Sequence, residues 1–215
     1  DTAREGIVIS RMVWDALLYR DPATNEYLPN LATSYNWVDS KTLEFDLRKG
    51  VTFHNGEKFD ADDVVYTLTY ISNPENGAKP ARNVNWWDSA EKLGDYKVRL
   101  NLTKEFPAAL EFLSGPIVMY PNEYYAEVGP EGMAMKPVGT GPYAVTSVEP
   151  GKRYKFKKND NDHASSPKGQ ANIGNIVIRT IAESNTQLAE LFSGGVDWIW
   201  KVKPDQAQRI SAQGQ

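Results

Sequence analysis

Apolar positions in the first part of the chain recur at helical spacing. Ile7, Met12, Val13, Ala16 and Leu17 fall close to a 3.6-residue period, which predicts a helix ending near Arg20. "DPATNEYLP" then reads as a loop. In "TLEFDLR" the period changes to two: Leu43, Phe45 and Leu47 alternate with Thr42, Glu44 and Asp46, the mark of a half-buried strand. Lys49-Gly50 turns the chain. Asn55-Gly56 sits between "VTFH" and "EKF", where that pair tolerates the two positive φ angles of a tight hairpin. A helix start follows. Asp60 suits the N-cap, Asp63 holds the capping-box position, and Phe59 and Val64 occupy the staple positions. Val64, Leu68 and Ile71 then share one face.

Residues 73–87 are loop-like and end in Trp86-Trp87. "YKVRLNL" alternates Val98, Leu100 and Leu102 and predicts a strand. Pro107 opens a short helix to Leu113, as proline does at a first helical position. "YPNEYYAEVGPEGM" reads as a short helix and a Gly/Pro-rich loop. A strand, a Pro150-Gly151 corner and a second strand come next. "NIVIRTI", "SNTQLAELFSGG" and "VDWIW" predict strand, helix, strand. Ser184 and Gln187 have capping-box spacing, and Gly194-Gly195 ends the helix. So short a crossover implies a parallel pair in a mixed sheet. The tail from Lys201 is polar. The fold class is therefore α/β or α+β with a mixed sheet.

Composition narrows the chemistry. The 215 residues include no cysteine, which excludes disulfides, thiolate nucleophiles and Cys-type zinc sites. Two histidines, His54 and His163, make a histidine metal centre a poor expectation. A net charge of −4 argues against a basic nucleic-acid footprint. No stretch is long and apolar enough for a transmembrane helix, and no signal peptide is evident. Asp60, Asp62 and Asp63 lack the alternating ligands and glycine of a calcium loop, so they read as helix caps that also suit the helix dipole. "NDNDH", residues 159–163, reads as a solvated loop. "GTGPY" lacks the third glycine of a dinucleotide fingerprint and precedes a strand. There is no G-x-S-x-G elbow, and no carboxylate pair stands out. Six tryptophans are more informative. Trp14, Trp86, Trp87, Trp198 and Trp200 are each explicable as core, yet as a set they suit a pocket of flat apolar walls with a few polar anchors.

Four ordered segments carry a resemblance. "LATSYNWVDSKTLEFDLRKGVTFHNGEKFDADDVVYTL" (31–68) resembles the signature of the extracytoplasmic solute-binding proteins of peptide/nickel ABC transporters. That family includes oligopeptide- and dipeptide-binding proteins. "VWDALLY" (13–19), "PVGTGPY" (137–143) and "IAESNTQLAELFSGGVDW" (181–198) resemble further family segments in the same order. The resemblance implies a periplasmic-binding-protein-like (type II, family 5-like) lobe with an inserted α+β domain. Lobe I would span 1–29 and 138–200, and the insertion 30–137. Residues 201–215 would begin the crossover to a second lobe that lies outside the sequence, so the chain resembles a truncated family member.

It further implies a non-enzymatic, monomeric receptor outside the cytoplasmic membrane. That receptor would need no cofactor or nucleic acid and would hand a small solute to ABC permease subunits. A short peptide is the leading solute, with an oligosaccharide or other small solute as the alternative. The resemblance makes Asp15 the charge anchor for a ligand amino group. Trp14, Trp86 and Trp87 would line the cleft with the Gly139, Thr140 and Gly141 backbone. Half a clamp is expected to bind weakly by itself.

Overall fold

The structure is a computed structural model described over residues 4–77 and 83–212. Its contacts divide it into two units. One comprises Asp1–Ser147 with Lys155–Ile176, the other Val148–Tyr154 with Val177–Gln215.

In the first unit, α1 spans Arg4–Val13. It stops well short of the expected Arg20. Trp14 makes the last helical bond, its N–H donating to Ser10 O at 2.8 Å. The next residues bury on consecutive positions, with Ala16, Leu17 and Leu18 at 5% exposure or less. A helix packed on one face cannot do that. Leu18–Arg20 instead forms β1, antiparallel to β2 at Tyr27–Pro29, so the expected loop is a small hairpin. Asn25 supplies the positive φ that its turn requires.

A four-stranded antiparallel sheet dominates the unit. Its order is β3 (Ala32–Asp39), β4 (Thr42–Leu47), β6 (Lys97–Leu102), β5 (Trp87–Gly94). The alternation in β4 and β6 places Leu43 opposite Leu100 and Phe45 opposite Val98, all about 1% exposed or less. Each such side chain contributes roughly 1.5–3 kcal/mol through burial. On the other face Glu44 accepts from Arg99 at 2.6 Å and Lys97 at 2.9 Å. The strands β3 and β5 escaped the period-two reading because both are edges. β3 is exposed at most positions, so no apolar alternation marks it.

Helix α2 (Ala61–Ser72) covers this sheet and has the expected capping box. Asp60 accepts from Asp62 N–H at 2.8 Å, and Asp63 accepts from Asp60 N–H at 2.9 Å. Asp63 also accepts the Asn122 N–H at 2.9 Å, joining α2 to the chain at Asn122. Burial is the main influence on that carboxyl and pushes it up to about 7. The expected Asn-Gly corner differs in detail. Of the pair, Asn55 does not take a positive φ and Gly56 does, at +93°, and the Gly56 N–H donates to Phe53 O. The turn therefore closes one residue earlier. Helix α3 (Ala109–Phe112) is short. Helix α4 (Asn122–Met135) runs through the expected Gly/Pro loop, because Gly129 at φ +64° kinks it and Pro130 begins the second segment.

Strands β7 (Tyr143–Glu149), β8 (Arg153–Lys158) and β9 (Asn175–Arg179) form a sheet in that order. In the second unit, Lys152 and Glu149 close the Pro150-Gly151 corner. Arg179 pairs with Glu190 of α5 (Ser184–Phe192) at 2.8 Å. The Ser184–Gln187 capping box does not form. Glu183 is the N-cap residue, and Gln187 donates to Ile181 O at 2.6 Å instead. Residues 196–200 are not a strand, so the expected parallel crossover is absent among the described residues. Trp198 is 66% exposed and meets Trp200 edge-on at 4.7 Å. The polar tail forms α6 (Pro204–Ala212). No helix among the described residues is long and apolar enough to cross a membrane.

Candidate functional site

The end of α1 is the organising point. A helix leaves its last carbonyls without internal partners, and its C-terminus favours cations. Two other segments satisfy those carbonyls here. Gly141 donates its N–H to Val13 O at 2.9 Å. The Lys168 ammonium donates to Arg11 O at 2.6 Å and Trp14 O at 2.9 Å.

Asp15 follows directly and is 1% exposed. One carboxylate oxygen meets Lys168 Nζ at 2.7 Å and accepts from Asn30 Nδ2 at 3.3 Å. The other accepts from Thr140 Oγ1 at 2.8 Å. Burial by itself would raise this carboxyl. The Lys168 charge, with hydrogen bonds from Lys168, Thr140 and Asn30, outweighs burial and holds it below its usual value. Its backbone oxygen accepts the Met119 N–H at 2.9 Å. Asp15 is thus a buried, ion-paired carboxylate tied to four segments of the chain.

The 139–141 loop lies against α1 so closely that side chains are excluded. A Cβ on Gly139 would overlap Val13 O and stand 2.7 Å from Trp14 Cδ1; one on Gly141 would stand 2.7 Å from Met12 O. His54 clamps the loop from the other side. Its Nε2 lies 2.9 Å from Gly141 O, its Nδ1 accepts from Gly139 N–H at 3.3 Å, and its backbone N–H donates to Gly139 O at 2.8 Å. This pattern requires the neutral Nε2–H tautomer. Burial, the leading cause, lowers its pKa accordingly.

Trp14 is half-buried. Its indole N–H donates to Val138 O at 2.7 Å, and its ring meets Tyr120 edge-on at 5.8 Å. Tyr120 continues to Tyr125 at 5.1 Å, and Tyr125 to Tyr70 at 5.0 Å. Close by in charge terms is "NDNDH". Asn159 donates to Gly141 O at 3.1 Å. Both Asp162 oxygens and both His163 ring nitrogens are buried without a hydrogen-bond partner. Burial, then the Asp15 charge, pushes Asp162 up to about 6. The segment is therefore partly interior rather than the solvated loop expected.

Trp14, Asp15, Gly139, Thr140 and Gly141 come together in this way. Trp86 and Trp87 are placed differently, in the interior of the sheet unit at 1% and 3% exposure. Trp86 stacks on Phe106 at 4.8 Å and meets Trp87 at 4.7 Å, so neither offers a free ring face. Lys168, Asn30 and Tyr120 are constituents that sequence reasoning missed. Nothing in the local pattern distinguishes Lys168 from the chain's other lysines. A surface concavity of about 580 Å³ between Asp46, Lys49, Tyr96 and Lys97 includes none of the candidate residues. No cluster of three or more histidine or acidic side chains positioned for a metal occurs among the described residues.

Known proteins resemble this chain in sequence and fold. The family model described as bacterial extracellular solute-binding proteins, family 5 middle, matches residues 26–215. A probable ABC transporter-binding protein of Deinococcus radiodurans is 26% identical over 91% of this chain and 36% of its own length. Di/tripeptide-binding protein 4 of Pseudomonas aeruginosa is 26% identical over 92% of this chain and 41% of its own. The solved structure of NikA from Brucella suis in complex with Fe(III)-EDTA is 29% identical. It has a TM-score of 0.81 and covers 97% of this chain and 42% of that one. The chain thus spans about two fifths of these proteins or less. With the family model matching nearly its whole length, the chain belongs to the bacterial extracellular solute-binding proteins of family 5.

Proposed function

We propose that this chain is part of the solute-capturing component of an ABC importer. It works outside the cytoplasmic membrane as a passive receptor and delivers short peptides to permease subunits. The family match over residues 26–215 carries this reading. The similarity to a di/tripeptide-binding protein favours peptides among the family's solutes. In this reading residues 1–29 and 138–200 belong to one lobe. Residues 30–137, which contain the whole four-stranded sheet, α2, α3 and α4, are an insertion within it. Trp14 faces the solute, and the 139–141 loop, buried between α1 and His54, holds the tryptophan in position. Closure of a clamp needs a second wall, so this lobe holds solute weakly without it.

A second reading, a solute other than a peptide, is favoured by one observation. Asp15 is already neutralised by Lys168 and presents no free charge for an amino terminus. Titrating the full chain, second lobe included, with a peptide pool and an oligosaccharide pool, with tryptophan fluorescence as the signal, separates the two. A saturable response to peptides supports the first reading. A response to sugars alone removes it.

A further inference from the structure

We propose that Arg11 O, Trp14 O and the Asp15 carboxylate form a primary-ammonium site that the chain fills with its own Lys168, so that Asp15 is not available to hold a solute's amino group. The second half of this statement rests on the solute-binding reading above. The first half does not.

The geometry is that of an ammonium receptor. Lys168 Nζ has three protons and three acceptors, at 2.6, 2.7 and 2.9 Å. No donor is left over. Two acceptors are backbone carbonyls at the negative end of α1, and the third is an anion with 1% exposure. A tripod of single acceptors fits a compact ammonium better than the planar fork of arginine. On the anion side, three of the about four acceptor positions of Asp15 are taken: Lys168 and Asn30 share one oxygen and Thr140 holds the other.

The lysine is also delivered by a built turn. Ser166 is buried and donates its N–H to His163 O at 2.9 Å, and Gly169 N–H donates to Ser166 O at 3.1 Å. Arg48 pins the same turn through Ser165 Oγ at 2.7 Å and reaches back to Asn30 O at 2.7 Å. A tethered group acts at an effective concentration on the order of millimolar or more. A solute at micromolar concentration must therefore bind the tripod roughly a thousand-fold more tightly than Lys168 merely to share it. A free amino terminus offers the same ammonium and gains no such advantage. Within this lobe, specificity for the solute consequently falls to neutral contacts such as the half-buried Trp14.

The test uses the full chain. In Lys168→Ala the buried carboxylate loses its counter-ion, and the melting temperature is expected to fall by about 10 °C. n-Propylammonium is the excised side chain beyond Cβ. At tens of millimolar it should restore several degrees relative to sodium chloride of equal ionic strength, leave wild type unmoved, and fail in Lys168→Ala/Asp15→Asn. Equal effects of the amine and sodium chloride on Lys168→Ala would overturn the ammonium site. A second measurement needs no variant. Under reductive methylation of wild type, Lys168 should react much more slowly than the exposed Lys152 and Lys155, and Lys168 reacting as fast as they do would also overturn it. Repeated with solute bound, retained protection supports the second half. Protection lost on loading means the solute evicts the lysine and overturns it. A full chain that binds no peptide would refute the solute reading and leave the lysine results standing.

Discussion

Replacing Gly139 by alanine tests how the 139–141 loop is held. The new Cβ would overlap Val13 O and stand 2.7 Å from Trp14 Cδ1 and 2.8 Å from Val13 C. Two of these three atoms are backbone, so no flexible end can swing aside. Overpacking of this kind costs about 1–3 kcal/mol. Moving the loop to relieve it stretches Gly141 N–H to Val13 O, His54 N–H to Gly139 O and Trp14 Nε1–H to Val138 O. Each of those is worth about 1 kcal/mol. A total near 3 kcal/mol lowers the melting temperature by roughly 6–12 °C in a domain of this size. Gly174→Ala is the matched control. Its Cβ would meet nothing within 4 Å and its φ is not positive, so it should be neutral or gain up to about 1 kcal/mol. Thermal unfolding followed by tryptophan fluorescence reads both. Equal melting temperatures for the two variants would refute the close approach of loop and helix.

Three further outcomes follow from the same geometry. Asp162→Asn should stabilise the protein more at pH 8 than at pH 5. Burial and the Asp15 charge raise Asp162 from 3.8 to about 6, so stability is lost as pH rises between those values, partly by pH 5 and fully by pH 8; melting curves at the two pH values check this. Asp60→Ala removes the acceptor for Asp62 N–H at the start of α2 and should cost about 1 kcal/mol in denaturant unfolding. Trp86→Leu should lower the melting temperature but leave solute affinity of the full chain within about two-fold, because Trp86 is interior; Trp14→Leu should weaken that affinity by about ten-fold, through the loss of one aromatic contact whose ring is oriented by the bond to Val138 O. Titration of both variants distinguishes the two tryptophans.

Much of the fold was legible because its signals are local. The Asp60–Asp63 box and the alternation of β4 and β6 each follow from a few adjacent residues, and all three are present. What failed depends on distant partners. Residues 14–20 keep a helical apolar pattern, but their burial on consecutive positions ends α1 at Val13. Edge strands β3 and β5 carry weak alternation, because only one neighbour and one face constrain them. The candidate site divides similarly. Gly139, Thr140 and Gly141 stand out as a motif, and Asp15 by resemblance. Lys168 meets Asp15 across 153 residues of sequence, and a single lysine in a polar loop announces nothing. Trp86 and Trp87 were ambiguous between wall and core, and only packing against Phe106 and Phe112 locates them.

The most direct test of the account is native mass spectrometry of the full chain as purified, then again after mixing with defined short peptides. The account predicts one peptide per chain, bound reversibly and recovered unaltered in mass. Peptides recovered cleaved or modified, or a full chain saturated by some other solute and indifferent to every peptide, would contradict it.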